Sequence, residues 1–170
     1  MILEKEGTWW VAKVKPHQEK AFAFDLLKRG VDYCLPCYEK KALRSDGKFR
    51  KSILVLFPSY VPFISEKPYD FLKLGRIATI LPIKAQERFK KELHYLFLAN
   101  ASGTPIEPVL KTEQFLRGEP VEIIAGPLSG ATGVVVDIKN DKRAVVLSID
   151  GLGCAKIIIN VREIKPKNLL

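Results

Sequence analysis

Few residues in this chain could do covalent chemistry, and their spacing suits no particular reaction. Cys34 and Cys37 flank Leu35-Pro36 in the C-x-x-C spacing shared by dithiol redox centres and half zinc sites. A redox pair of that kind needs a helix N-terminus behind it to lower a thiol pKa. Here the motif lies in a run that reads as a strand passing into a charged loop. Zinc would need two further ligands, and only His17, His94 and Cys154 remain, none at ligand spacing. The two histidines fall on helical stretches far apart in the sequence. No paired carboxylates, nucleophile elbow or phosphate-cradling glycine loop is present. The residues therefore argue against an enzyme, a cofactor or a metal site.

Binding chemistry is better represented. Lys40, Lys41, Arg44, Lys48, Arg50 and Lys51 form a basic run with only Asp46 opposing within it, around an Asp46-Gly47 hairpin signal. Such a run is either a solvated hairpin tip or a surface for nucleic-acid phosphates, where affinity would be salt-sensitive and blind to sequence. Aromatic residues gather at Trp9-Trp10 and at Phe57-Pro58-Ser59-Tyr60. Aromatic side chains at a strand edge give large contact area with little rotamer entropy to lose, as binding hot spots require. Strand alternation puts Trp9 and Trp10 on opposite faces, so one is expected in the core, by preference Trp9, and the other at an interface.

Net charge is +9, and it is unevenly placed. Residues 1–110 hold 19 Lys and Arg against 12 Asp and Glu, whereas residues 111–170 hold 9 against 7. Polyanions would accordingly meet the first part of the chain. Three cysteines cannot build a disulfide framework and suit a reducing compartment. The longest apolar run, Ile53 to Phe57, is too short to span a bilayer, and the N-terminus has no signal-peptide pattern. The expectation is a soluble, cytoplasmic protein with no membrane partner.

The elements that must position these residues fall into two groups. Thr8 to Lys15 alternates as a strand, His17 to Arg29 reads as a helix closed by Gly30, and Val31 to Tyr38 as a second strand. Lys51 to Phe57, Tyr60 to Ile64 and Arg76 to Leu81 are further strands, with a short helix over Lys67 to Leu74. Lys84 to Ala99 is the clearest helix, with Ala85, Phe89, Leu93, Leu96 and Phe97 on one face. Residues 1–100 are thus expected to form an α/β sandwich with an antiparallel sheet and helices on one face. Residues 101–115, with Ala101 to Pro108 rich in Gly, Ser and Pro, read as a flexible linker. Residues 116–170 carry four or five short strands with tight turns, the pattern of a small all-β barrel. The fold class is α+β.

Gly118 to Lys139, GEPVEIIAGPLSGATGVVVDIK, resembles the start of a KOW domain, an SH3-like barrel. With Trp9-Trp10-Val11 at the front and Leu56-Phe57-Pro58-Ser59-Tyr60 in the middle, nearly the whole chain is similar to the NusG family of transcription elongation factors. The family pattern has Trp-Tyr-Val first and Phe-Pro-Gly-Tyr or Phe-Pro-Asn-Tyr second. The resemblance implies an NGN-like domain that docks on the clamp helices of bacterial RNA polymerase, bridges the DNA channel and suppresses pausing. Carried over by motif, the polymerase-binding residues are Trp10, Phe57, Pro58 and Tyr60. The basic run, Lys40 to Lys51, would face DNA of the elongation complex. The barrel would be a tethered module for a second partner, a ribosomal protein or the termination factor Rho.

Two departures point to a specialised paralogue of the RfaH or UpxY type, acting as a monomer on particular operons. The segment between Tyr60 and Arg76 is shorter than its RfaH counterpart, and the barrel tips read Leu128, Ala131 and Leu152 where NusG exposes phenylalanines. Leu128 and Leu152 are the expected partner contacts. The alternative is a ribosome- or RNA-binding KOW protein, which would want more positive charge on the barrel. Because its strands are loaded with Val and Ile and punctuated by Gly, the barrel is expected to stay β in every state. It is also expected to stand undocked, leaving the polymerase-binding face open.

Overall fold

A computed structural model describes residues 2–109 and 118–167. Its organising element is β1 (Trp9–Val14), the centre of a three-stranded antiparallel sheet between β4 (Tyr60–Ile64) and β5 (Ile77–Pro82). Nearly every residue of β1 is buried or half-buried, so both faces of this sheet must be covered. The helices accordingly lie on opposite faces, not on one as expected from sequence. On one side Ala12 and Val14 pack with Phe22 and Leu26 of α1 (Glu19–Lys28). On the other, Trp9 and Val11 share a core with Phe89, Leu93 and Leu96 of α2 (Gln86–Ala101).

The stretch Val31 to Tyr38 is not one continuous strand. Within residues 31–36 only Tyr33 makes a bridge, to Phe63, and Pro36, which has no N–H to donate, interrupts the run before β2 (Cys37–Leu43) starts. β2 and β3 (Phe49–Val55) pair only with each other, as a two-stranded ribbon in register from Cys37 opposite Val55 to Leu43 opposite Phe49. Its turn follows the Asp-Gly signal: Gly47 has φ of 76° and Asp46 Oδ1 accepts the Lys48 N–H at 3.1 Å. The segment Pro68–Leu74 is a 3₁₀ helix ended by Gly75 in the left-handed region.

The C-terminal half is one antiparallel sheet of six strands, ordered β11-β7-β8-β9-β10-β6. These are β6 (Ile106–Pro108), β7 (Pro120–Ile123), β8 (Thr132–Lys139), β9 (Lys142–Ile149), β10 (Gly153–Asn160) and β11 (Ile164–Pro166). Val121, Ile123, Val145, Leu147, Ile157 and Ile159 fill its interior. Gly118 is required at its entry, where a Cβ would collide with the Val135 carbonyl.

β6 departs from the sequence reading, because it lies inside the expected linker. Ile106 pairs with Ile157 and Pro108 with Ala155, and Glu107 meets Lys156 Nζ at 3.3 Å. Residues 110–115 of that linker, and 116–117 of the expected barrel, lie outside the described residues.

Candidate interaction surfaces

The Phe57-Pro58-Ser59-Tyr60 motif forms the turn into β4. Ser59 sits at φ of 70°, in the left-handed region where glycine and asparagine are favoured. Those are the residues of the family pattern at this place. Serine is accommodated here by outside support: Glu19 at the head of α1 accepts the Ser59 N–H through Oε1 at 2.7 Å. Glu19 is the single buried charged residue among the described residues, so an ionisable group has been placed in the interior to hold this turn. Ser59 in turn presents its carbonyl to the Val14 N–H at 2.8 Å, which fixes the motif to the central strand.

The structure separates the expected polymerase-binding residues into two places. Trp10 lies on the α1 face of the sheet, half-buried, edge-on to Tyr69 with centroids 6.0 Å apart, and its Nε1 donates to the Ser65 carbonyl at 3.0 Å. Phe57 and Tyr60 belong to the apolar cluster on the α2 face, with Pro58 exposed beside them. Trp9 is 2% exposed and packs edge-on to Phe89, the core role expected of it.

That α2-face cluster does not end at the first domain. It continues through Ile106 into Val121, Leu128, Ala131, Val145 and Leu152 of the barrel. The barrel is therefore docked, contrary to the expectation that it stands apart, and Leu128 and Leu152 are buried rather than presented at exposed tips. Docking follows from shape as well as apolarity. Gly151 has φ of 72°, and a Cβ there would lie 2.8 Å from Ile83 Cδ1, so the turn after β9 fits closely against the first domain. A polar latch accompanies it: Glu92 of α2 accepts the Asp150 N–H through Oε2 at 2.8 Å and the Arg88 Nε–H through Oε1 at 2.8 Å. Sequence reading missed Glu92 because a lone carboxylate on the polar side of a helix gives no sign of a distant backbone partner.

The six cations remain together as expected. Lys40 and Lys41 lie on β2, Arg50 and Lys51 on β3, and Arg44 and Lys48 at the turn, all exposed. Only Glu39 and Asp46 oppose them along the ribbon, through contacts of 3.3 Å to Lys51 and 3.7 Å to Arg44.

Cys34 and Cys37 are free thiols in a setting that suppresses their reactivity. Burial pushes the Cys34 thiol up to about 12, and Cys37 is raised by burial as well. No helix N-terminus backs them, since Cys37 opens β2. Among the described residues no three His, Cys, Asp or Glu side chains gather as a metal site. Cys34 is thus expected to alkylate with iodoacetamide at pH 8 about a thousandfold more slowly than in the unfolded chain, from its lower thiolate fraction. Mass spectrometry of the labelled peptide checks this. The same shift makes folding favour the neutral thiol, so this contribution to stability is complete below about pH 8.5 and declines as pH rises toward 12.

Comparison with known proteins matches this architecture. The family profile described as transcription termination factor nusG matches residues 7–90. Residues 7–90 place the chain in the NusG family. The match covers the three-stranded sheet, α1, the ribbon and the Phe57-Tyr60 turn of this NusG-family chain. A solved structure described as domain interaction in Thermotoga maritima NusG aligns over 96% of this chain and 98% of that chain, at 18% identity and a TM-score of 0.54. A structure of the MjSpt4:Spt5 complex aligns over 94% of this chain and 99% of that chain, at 19% identity and a TM-score of 0.27. The Thermotoga likeness is one of fold, and it extends the NGN-plus-KOW architecture over both halves of the chain. No curated protein sequence matches. As a NusG-family member the chain is a non-enzymatic transcription elongation factor. No helix among the described residues is long and apolar enough to cross a membrane.

Proposed function

We propose that this NusG-family factor binds the clamp helices of RNA polymerase through the turn Phe57-Pro58-Ser59-Tyr60, with Trp10 contributing from the opposite face of the sheet. The observation that carries the reading is the construction of that turn. A left-handed Ser59 and a buried Glu19 are held in place to shape a short aromatic segment at a sheet edge. Such an outlay of strain and buried charge is characteristic of functional positions. The basic ribbon contacts DNA of the elongation complex, and the barrel recruits a second protein, ribosomal or Rho, through Leu128 and Leu152. Phe57, Tyr60, Leu128 and Leu152 belong to one apolar cluster that spans the two domains, and the factor opens that cluster when the domains part. The factor then acts as a specialised paralogue of the RfaH or UpxY type whose two contacts become available together.

Capture of RNA polymerase by the full chain and by Glu92→Ala tests the reading. The variant loses the acceptor for the Asp150 N–H and leaves Arg88 without its partner, which favours the parted state. A charge-assisted hydrogen bond of this kind is worth about 1.5–3 kcal/mol, so polymerase binding should tighten about tenfold or more. If the wild-type chain captures no polymerase and Glu92→Ala captures none either, the proposal is wrong. Equal affinity of the two chains would remove the masking part of it.

A further inference from the structure

Beside the apolar interface, α2 and the docked barrel enclose a cleft of about 720 Å³. Its floor is an apolar row across three adjacent strands. Val134 of β8 stands opposite Pro120 of β7 on one side and Val146 of β9 on the other. Residues directly opposite share a face of the sheet, and here it is the outer face. Val145 and Leu147, which alternate with Val146, belong to the interior cluster, whereas Val134 and Val146 do not. Lys167 ends the row, its N–H donating to the Pro120 carbonyl at 2.9 Å. The facing wall is α2, where Arg88, Lys91 and Tyr95 recur at i, i+3 and i+7 on one side of the helix.

Cations therefore meet the cleft from both domains. Among the described residues the one carboxylate lining it is Glu92, whose two oxygens already accept from the Asp150 N–H and Arg88 Nε. Lys91 and Lys167 repel one another across the interface, and an anion between them turns that repulsion into attraction. Tyr95 Oη has no hydrogen-bond partner among the described residues. Gly130, at φ of 91°, keeps the space beside it clear, since a Cβ there would stand 3.2 Å from that hydroxyl. An apolar floor with a few convergent polar groups, in a cleft of this size, is the make-up of a small-ligand site.

We propose that this interdomain cleft binds a nucleotide and that the bound nucleotide holds the two domains docked. The planar base lies on the Pro120–Val134–Val146 row, and the phosphates lie between Arg88 and Lys91 on one wall and Lys167 on the other. Tyr95 Oη supplies a hydrogen bond to the sugar or the base edge. An inorganic anion would leave the floor bare, and an uncharged aromatic would leave the cations unmatched. A ligand that needs both walls stabilises the arrangement that brings them together. The contact with polymerase plays no part in this site.

The test is isothermal titration calorimetry of the full chain with ATP, without added divalent cations, where one saturable site is expected. Adenosine and inorganic tripolyphosphate should each bind at least about tenfold more weakly, because each satisfies half of the cleft. Replacing Lys91 and Lys167 together by Gln should weaken ATP about tenfold or more. Val134→Glu, which puts a carboxylate on the floor, should do the same, with circular dichroism checking that both variants fold. The lysine pair is exposed, so it decides the matter even if Val134→Glu unfolds. ATP at about ten times its Kd should also slow hydrogen exchange of the Asp150 amide about tenfold, read by NMR. No ATP binding, ATP no tighter than adenosine or tripolyphosphate, or full affinity in the lysine double variant would each overturn the nucleotide site. Binding that leaves Asp150 exchange unchanged would overturn the closure. None of these readouts involves polymerase, so failure here and failure of the clamp-helix reading are told apart.

Discussion

Trp9→Ala is expected to destabilise the protein by about 3–5 kcal/mol, the usual cost of emptying a large aromatic site in a core. The side chain is 2% exposed and packs edge-on to Phe89, and Gln86 Oε1 accepts the backbone N–H of Trp9 itself at 2.8 Å. Its loss would loosen β1 from α2 and, through the shared cluster, the barrel as well. Trp10→Ala, one residue away on the other face, should cost clearly less, because its ring is only half-buried against Tyr69. Urea denaturation of the two variants, followed by circular dichroism, makes the comparison directly. Equal losses would mean that the two faces of β1 are not divided as described.

Replacing Lys40, Lys41, Arg44, Lys48, Arg50 and Lys51 together by Gln should change DNA affinity more than any single substitution. Each phosphate neutralised contributes roughly 0.9 to the slope of log affinity against log salt, so the slope should fall by up to about 5. At 0.1–0.2 M salt that corresponds to a loss of several orders of magnitude. The six cations lie on the exposed arms and turn of the ribbon, whereas its base, where Lys20 Nζ donates to the Ile53 carbonyl at 3.2 Å and the Leu56 N–H to the Pro36 carbonyl at 2.8 Å, leads into the Phe57 turn. Binding to isolated clamp helices should therefore barely move. Titrations of elongation complexes and of clamp helices against salt separate the two, and parallel losses would make the ribbon part of the protein interface.

What could be read from the sequence was local. β4 was expected over Tyr60 to Ile64 and is found there, because Pro58-Ser59 and a following charged stretch bracket a run with no competing period. The ribbon turn was legible for a similar reason, since an Asp-Gly pair dictates its own geometry. Val31 to Tyr38 reads as one strand because its apolar residues look strand-like, while Pro36 divides it and leaves residues 31–36 one bridge. Long-range facts were harder to see. The placement of helices on both faces depends on α2 returning across the sheet, and the docking of Leu128 and Leu152 depends on complementarity around Gly151 that no periodicity encodes. Glu19 likewise looks like an ordinary first-turn acid until its partner, 40 residues on, is known.

β6 sets the reach of the whole molecule. Only Ser102 to Pro105 separate the end of α2 from a strand hydrogen-bonded into the barrel sheet. At about 3.5 Å per residue that leash is roughly 14 Å long. A barrel that lets go of α2 while keeping β6 can swing aside but cannot travel. Its effective concentration at the vacated face then stays in the millimolar range or above, so re-docking competes strongly with any ligand offered there. Stripping β6 from β10 would lengthen the leash past Pro108 and expose a strand edge in the same event. The tether thus has a short and a long setting, and the pairing of Ile106 with Ile157 divides them.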